Sequence, residues 1–132
     1  MIVGIGTDIV ETRRMADNIE RHGDRFARRL LAACEWPSYR AAPDGPAFLA
    51  KRFAAKEAFG KATGTGVRAP VTLQSMWVDH DDLGKPSLGI DEELARWLTD
   101  RGVRRWHLSL SDERDYALAF VVLEGDPTDR RA

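Results

Sequence analysis

The spacing of apolar residues changes several times along the chain, and each change marks an element. Met1 to Val10 is mostly apolar and β-prone, so it reads as a strand in which Gly4 and Gly6 let something approach the backbone closely. Thr12 is placed to cap a helix that ends at Gly23, with Met15 and Ile19 on its inner face. Asp24 can cap a shorter helix carrying Phe26, Leu30 and Leu31, which Trp36-Pro37 breaks. Residues 40–46, rich in proline and glycine, read as a mobile loop. Lys51 to Ala62 is helical in composition, and Gly64 and Gly66 stop it. Val71 to Asp79 is a strand, residues 79–86 turn the chain, and Pro86 to Ile90 returns as an edge strand. Asp91 caps a helix with Leu94, Trp97 and Leu98 inward, and Gly102 ends it; Arg105 to Leu110 and Tyr116 to Leu123 then form a hairpin.

This order favours an α+β fold, a small, mainly antiparallel sheet packed with helices. It makes one domain over residues 1–124, with a polar, frayed tail over 125–132. The edges of so small a sheet need covering, and self-association is one ordinary way to do it.

The helix from Lys51 departs from the usual surface pattern. Wound at about 100° per residue, Lys51, Arg52, Lys56, Glu57 and Lys61 scatter among Phe48, Leu49, Phe53, Phe59 and alanines, leaving no clean polar face. Some of these charges must face the protein body, where a metal, a phosphate or a counter-charge is the remedy. An i,i+4 surface pair between Glu57 and Lys61 explains the spacing equally well. Asp8 likewise reads either as a functional carboxylate or as a structural aspartate bonded to a turn. The run Gly4-Ile5-Gly6 lacks the third glycine of a dinucleotide loop. Arg14, Asn18, Arg21 and Arg25 fall at i, i+4, i+7 and i+11, a basic stripe if the helix continues past Gly23.

Composition narrows the classes. With 132 residues, 43% hydrophobic and 31% charged, the chain is a folded domain. Its net charge of -1 argues against general nucleic-acid binding, so an anionic partner must be met locally. The one cysteine, Cys34, has no intrachain partner and reads as a small buried hydrophobe in a reducing compartment. Asp8 and Glu11 interrupt the N-terminal apolar run too early for a signal peptide or membrane span, so a cytoplasmic protein without a membrane partner is expected.

Four motifs stand in order along the chain: Gly4 to Glu11; Arg52 to Phe59 with Lys61-Ala62 and Gly64-Thr65-Gly66; Gly84-Lys85-Pro86; and His107 to Ser111 followed by Tyr116-Ala117. On these the sequence resembles the bacterial holo-[acyl-carrier-protein] synthases, the short, trimeric class of 4'-phosphopantetheinyl transferases. The resemblance implies that fold, a homotrimer with sites at subunit interfaces, and a Mg2+-dependent reaction of fatty acid biosynthesis. The phosphopantetheine arm of coenzyme A would pass to a serine of apo acyl carrier protein, releasing adenosine 3',5'-bisphosphate. It implies Asp8 and Glu57 as metal ligands and, with Lys61, as catalytic residues. Arg52, Lys56, Lys61, Gly64, Gly66, Lys85, Pro86 and His107 match coenzyme A contacts, and Arg52 matches one that reaches a neighbour's nucleotide. Arg14, Arg21 and Arg25 match the surface that docks an acidic helix of the carrier. Asp112 stands where many members have histidine, which leaves the proton acceptor open. A nucleotide phosphohydrolase and a coenzyme A-binding module without turnover are the rival readings.

Overall fold

The structure, a computed structural model, describes residues 1–127. Strand β1 (Ile2–Glu11) and strands β2 (Met76–His80), β3 (Pro86–Ile90), β4 (Arg105–Asp112) and β5 (Tyr116–Glu124) make a three-stranded sheet in the order β1-β5-β4 and a two-stranded ribbon β2-β3. Every pairing between these strands is antiparallel, which bears out the expected α+β class. The helices of the described residues are α1 (Thr12–His22), α2 (Asp24–Leu30), α3 (Trp36–Ala41), α4 (Gly45–Thr63) and α5 (Glu92–Asp100).

Helix α4 lies at the centre. The Asp44 carboxylate accepts from the Ala47 amide at 3.0 Å, Pro46 occupies the first turn where a missing N–H costs nothing, and Gly64 at φ 81° closes the end. Leu49, Ala54, Ala55, Ala58 and Phe59 are wholly buried. The helix lies so close to β1 that a Cβ on Gly4 would run into the Ala62 carbonyl, and one on Gly6 into the Ala58 carbonyl. The close approach expected at these glycines is therefore made by the protein's own helix. Ala117, Ala119, Val121 and Leu123 of β5 continue the same buried face.

Several boundaries differ from the sequence expectation. Helix α2 stops at Leu30, and Trp36-Pro37 opens α3 instead of breaking a helix, because proline is well tolerated in a first turn. The expected loop over 40–46 is shortened to residues 42–44, its ends taken up by the last turn of α3 and the first of α4. Thr12 is the first helical residue, and Glu11 occupies the cap without a side-chain bond. Thr72 and Ser75 bond each other's backbone at 3.2 and 3.0 Å, which curls Leu73–Ser75 into a 3-10 turn and delays β2 to Met76. Cys34 is exposed, not buried. Gly125 exchanges two hydrogen bonds of 2.8 Å with Met1, so the expected frayed segment is anchored where it begins. The rest of that tail, from residue 128, lies outside the described residues.

The sheet leaves a face, not only an edge, uncovered. Ile5 and Ile9 are 60% exposed, Leu118 41% and Phe120 39%, on the side away from α4. The outer edge of β4 is met by the ribbon, where the Trp106 indole donates to the Leu88 carbonyl at 2.7 Å. Among the described residues no helix is long and apolar enough to cross a membrane.

The Gly6→Ala substitution should lift α4 off β1 and lower stability by about 1–3 kcal/mol. Urea unfolding followed by circular dichroism reads this as a lower midpoint, and an unchanged midpoint would contradict the close seam.

Candidate active site

Alternation along β1 turns Gly4, Gly6, Asp8 and Val10 toward α4. Gly4 meets the helix at Ala62 and Gly6 meets it at Ala58, so Asp8, the next inward residue, arrives beside the turn carrying Glu57 and Lys61. The Lys61 ammonium donates to Asp8 Oδ1 at 3.0 Å, with the Asp8 side chain 17% exposed and that of Lys61 55%. The lysine thus pairs across the seam to Asp8, and the Glu57–Lys61 surface pair permitted by the spacing is not the one formed. Burial, and then the Asp8 charge, push the half-buried Glu57 carboxyl above the usual carboxylate range, while Lys61 and Arg14 pull it back. Arg14 reaches this rim from α1, its guanidinium 5.6 Å from the Phe53 ring. The structure therefore assembles Asp8, Glu57, Lys61 and Arg14 on one seam.

Arg52 and Lys56 leave the other side of α4. Lys56 is wholly buried, its ammonium 2.6 Å from Glu35 Oε1 and 2.8 Å from the Leu30 carbonyl oxygen. Expected among the coenzyme A contacts, Lys56 is a core cation in this chain, sealed from solvent by a counter-charge. Arg52 is nearly buried too, 3.3 Å from Glu35 Oε2 and stacked on Phe48 at 3.5 Å. Burial lowers the pKa of both cations, and Glu35 opposes that shift.

The remaining expected contacts are dispersed. The Gly64 amide donates to the Lys61 carbonyl and the Gly66 amide to the Gly60 carbonyl, at 3.1 and 3.0 Å, so both close the helix end instead of facing an anion. Lys85 and Pro86 lie at the tip of the ribbon, where Asp81 Oδ1 accepts from the Leu83 and Lys85 amides. His107 is on the outer face of the sheet, 3.0 Å from Glu124. Asp112, at the end of β4, lies 4.0 Å from Lys51. Arg21 and Arg25 are exposed, and Gly23 at φ 59° separates their helices.

The sequence profile of the 4'-phosphopantetheinyl transferase superfamily matches residues 4–121, a span that holds every element of this seam. The chain belongs to that superfamily. It is 59% identical over 125 residues to a holo-[acyl-carrier-protein] synthase of Laribacter hongkongensis, covering 95% of this chain and 100% of that one. A holo-[acyl-carrier-protein] synthase structure from Neisseria meningitidis is 47% identical and superposes with a TM-score of 0.91, over 94% of this chain and 99% of the other. One from Bacillus anthracis, in complex with CoA (3',5'-ADP), is 39% identical with a TM-score of 0.77, over 96% and 99%.

In this transferase the seam would offer a hard divalent cation oxygen donors. Asp8 and Glu57 are two carboxylates within electrostatic reach of each other, with Lys61 bonded to Asp8. No cluster of three or more His, Cys, Asp and Glu side chains occurs among the described residues. The protein would offer two oxygen donors and leave the other positions to phosphate and water, the common arrangement for magnesium. Glu35 went unnoticed in the sequence. Its only signal was indirect, since a lysine inside an alanine-rich helix demands a carboxylate from elsewhere.

Because the folded protein disfavours ionised Glu57, neutralising that residue should stabilise the fold. Below the unfolded carboxyl pKa both states are protonated and no penalty exists; it grows as pH rises and is complete above the raised folded pKa. Glu57→Gln should therefore melt higher than the parent at pH 7, with the difference vanishing as pH falls below about 4. A lower melting temperature at pH 7 would mean that Glu57 is a structural partner.

Proposed function

We propose that Asp8, Glu57 and Lys61 form the centre at which this transferase moves the 4'-phosphopantetheine arm of coenzyme A to a serine of apo acyl carrier protein. The serine oxygen bonds to the phosphorus bearing pantetheine, the bridging phosphate bond breaks, and adenosine 3',5'-bisphosphate leaves. The serine proton is released to solvent. The observation that carries the reading is the Asp8–Lys61 pair on the β1–α4 seam, with the Glu57 carboxyl within electrostatic reach of both. Asp8 and Glu57 would hold Mg2+, which supplies positive charge beside a pyrophosphate. Lys61 is well exposed and can direct an ammonium proton at the same phosphates.

A homotrimer with shared sites suits the remaining geometry. Nine residues at about 100° each put Arg52 and Lys61 on opposite sides of α4, so one chain cannot bring both to one nucleotide. The apolar outer face of the sheet supports packing against further copies. Arg52, Lys85, Pro86 and His107 would then serve the nucleotide bound at a neighbour's Asp8–Glu57 seam. Arg52 lies within electrostatic reach of His80, which pairs with Pro86 across the ribbon, and this supports grouping Arg52 with Lys85 and Pro86. The exposed Arg14, Arg21 and Arg25 suit an acidic helix of the carrier, with a small apolar dent of about 130 Å³ between His22, Arg25, Phe26 and Arg29 beside them. Thr63 and Thr65 bond each other at 2.8 Å over the spent Gly64 and Gly66 amides, so that loop is read as support for Lys61. A cytoplasmic site of action accords with an unpaired cysteine.

The reaction is tested by incubating apo acyl carrier protein with coenzyme A, Mg2+ and the protein. Intact mass should rise by one phosphopantetheine, and Asp8→Asn should abolish the gain at low Mg2+ while the chain stays folded. Tight coenzyme A binding without a mass gain would return the protein to the binding-module reading.

Shared sites make a separate forecast. Chains carrying Arg52→Ala, slow at low coenzyme A, and inactive chains carrying Glu57→Gln should together give more transfer at low coenzyme A than the Arg52→Ala chains alone, because some interfaces in the mixture then hold both intact residues. Verified mixed assemblies without that gain, or a monomer by light scattering, would remove the shared site.

A further inference from the structure

Glu35 takes no part in the reaction outlined above, yet both its oxygens are committed. Oε1 accepts from the Lys56 ammonium at 2.6 Å and from the Ala32 amide at 3.0 Å. Oε2 accepts from the Val78 amide at 2.9 Å and lies 3.3 Å from Arg52 Nε. The two cations it meets are in different situations. Lys56 is wholly enclosed and spends a second proton on the Leu30 carbonyl, so it serves as a core staple. Arg52 has its side chain only 8% exposed, and its Nε finds no hydrogen-bond acceptor in good alignment. Its guanidinium lies between the Phe48 ring and Glu35, and it lines a cavity of about 510 Å³ together with Cys34, Ser38, Trp77 and Asp79.

A guanidinium left to itself samples many rotamers, and freezing them on binding costs affinity. Here a ring on one side and a carboxylate on the other have already removed that freedom. We propose that Glu35 is a positioning residue for coenzyme A. It clamps Arg52 against Phe48 with its guanidinium facing the open cavity, ready for the phosphates of the neighbouring copy's nucleotide. The same carboxylate neutralises Lys56, so one anion provides both a buried counter-charge and the aim of a binding cation. This inference rests on the shared-site reading of Arg52.

Glu35→Gln by itself strands the buried Lys56 charge and should lower the melting temperature sharply. Adding Lys56→Met removes that stranded charge and should recover most of the loss. In the double variant the Michaelis constant for coenzyme A should nevertheless stay about tenfold raised, with kcat and the constant for apo acyl carrier protein within about twofold of the parent. Glu35→Asp keeps the charge but withdraws the carboxylate by one methylene, and should show the same split with the buried charges still paired. If the coenzyme A constant returns to the parental value together with the melting temperature, and Glu35→Asp leaves it unmoved, Glu35 is only the structural partner of Lys56 and the proposal is overturned. Arg52→Ala in the parent chain keeps the two readings apart. A coenzyme A constant unmoved by Arg52→Ala defeats the shared-site reading of Arg52. A constant raised by Arg52→Ala but not by the Glu35 variants defeats only the role of Glu35.

Discussion

The depth at which α4 sinks onto β1 governs where every other functional group lies. Side chains normally hold a helix and a strand well apart, and here Gly4 and Gly6 remove them on one side while Ala58 and Ala62 keep them minimal on the other. The backbones meet with carbonyl oxygens where Cβ atoms would be. Asp8 follows as the next inward residue and has no choice but to face the Glu57–Lys61 turn. Side chains in place of the glycines would lift the helix by ångströms, and a carboxylate pair cannot act on one ligand across such a gap. The closeness of the backbones and the crowding of the charges are one constraint seen at two scales.

Because α4 is buried on nearly every side, its charges cannot all be solvated, and they meet different fates. Glu57 and Lys61 emerge at the seam with Asp8, where burial and the neighbouring charge disfavour the ionised form of Glu57. Lys56 ends in the core against Glu35. Removing one partner of such a buried pair typically costs about 3–5 kcal/mol, whereas replacing both with apolar groups is often neutral. That asymmetry makes Glu35 informative: a carboxylate needed only to offset Lys56 would be dispensable as a pair, and one that also aims Arg52 would not.

The outer surface divides in a way that the net charge of -1 conceals. Basic side chains gather on α1 and α2, and an apolar strip runs over the outside of the sheet through Ile5, Ile9, Leu118 and Phe120. The first suits an acidic partner met in passing, whose encounter is steered by charge. The second suits a permanent neighbour of the same chain, since an apolar sheet face left in water favours association. The proposed trimer thus rests on a face of the sheet, whereas sequence reasoning pointed to its edges.

Local rules were legible in the sequence. The Asp91 cap, the stops at Gly23, Gly64 and Gly102, the closing hairpin and the unusual helix with charges on all sides each depend on neighbours a few residues away. Ordered motifs also carried the family, and with it the expectation that Asp8, Glu57 and Lys61 act together. Only the tertiary structure decided which charge pairs with which. Lys61 chose Asp8, 53 positions away, over Glu57 one turn back, and Lys56 found Glu35 across 21 positions. Propensity and periodicity describe what a segment prefers by itself, but the cost of burying a charge depends on which distant segment covers it. The same holds for Trp36-Pro37, which reads as a break and became the start of a helix once α4 offered Phe48 for Tyr39 to pack against.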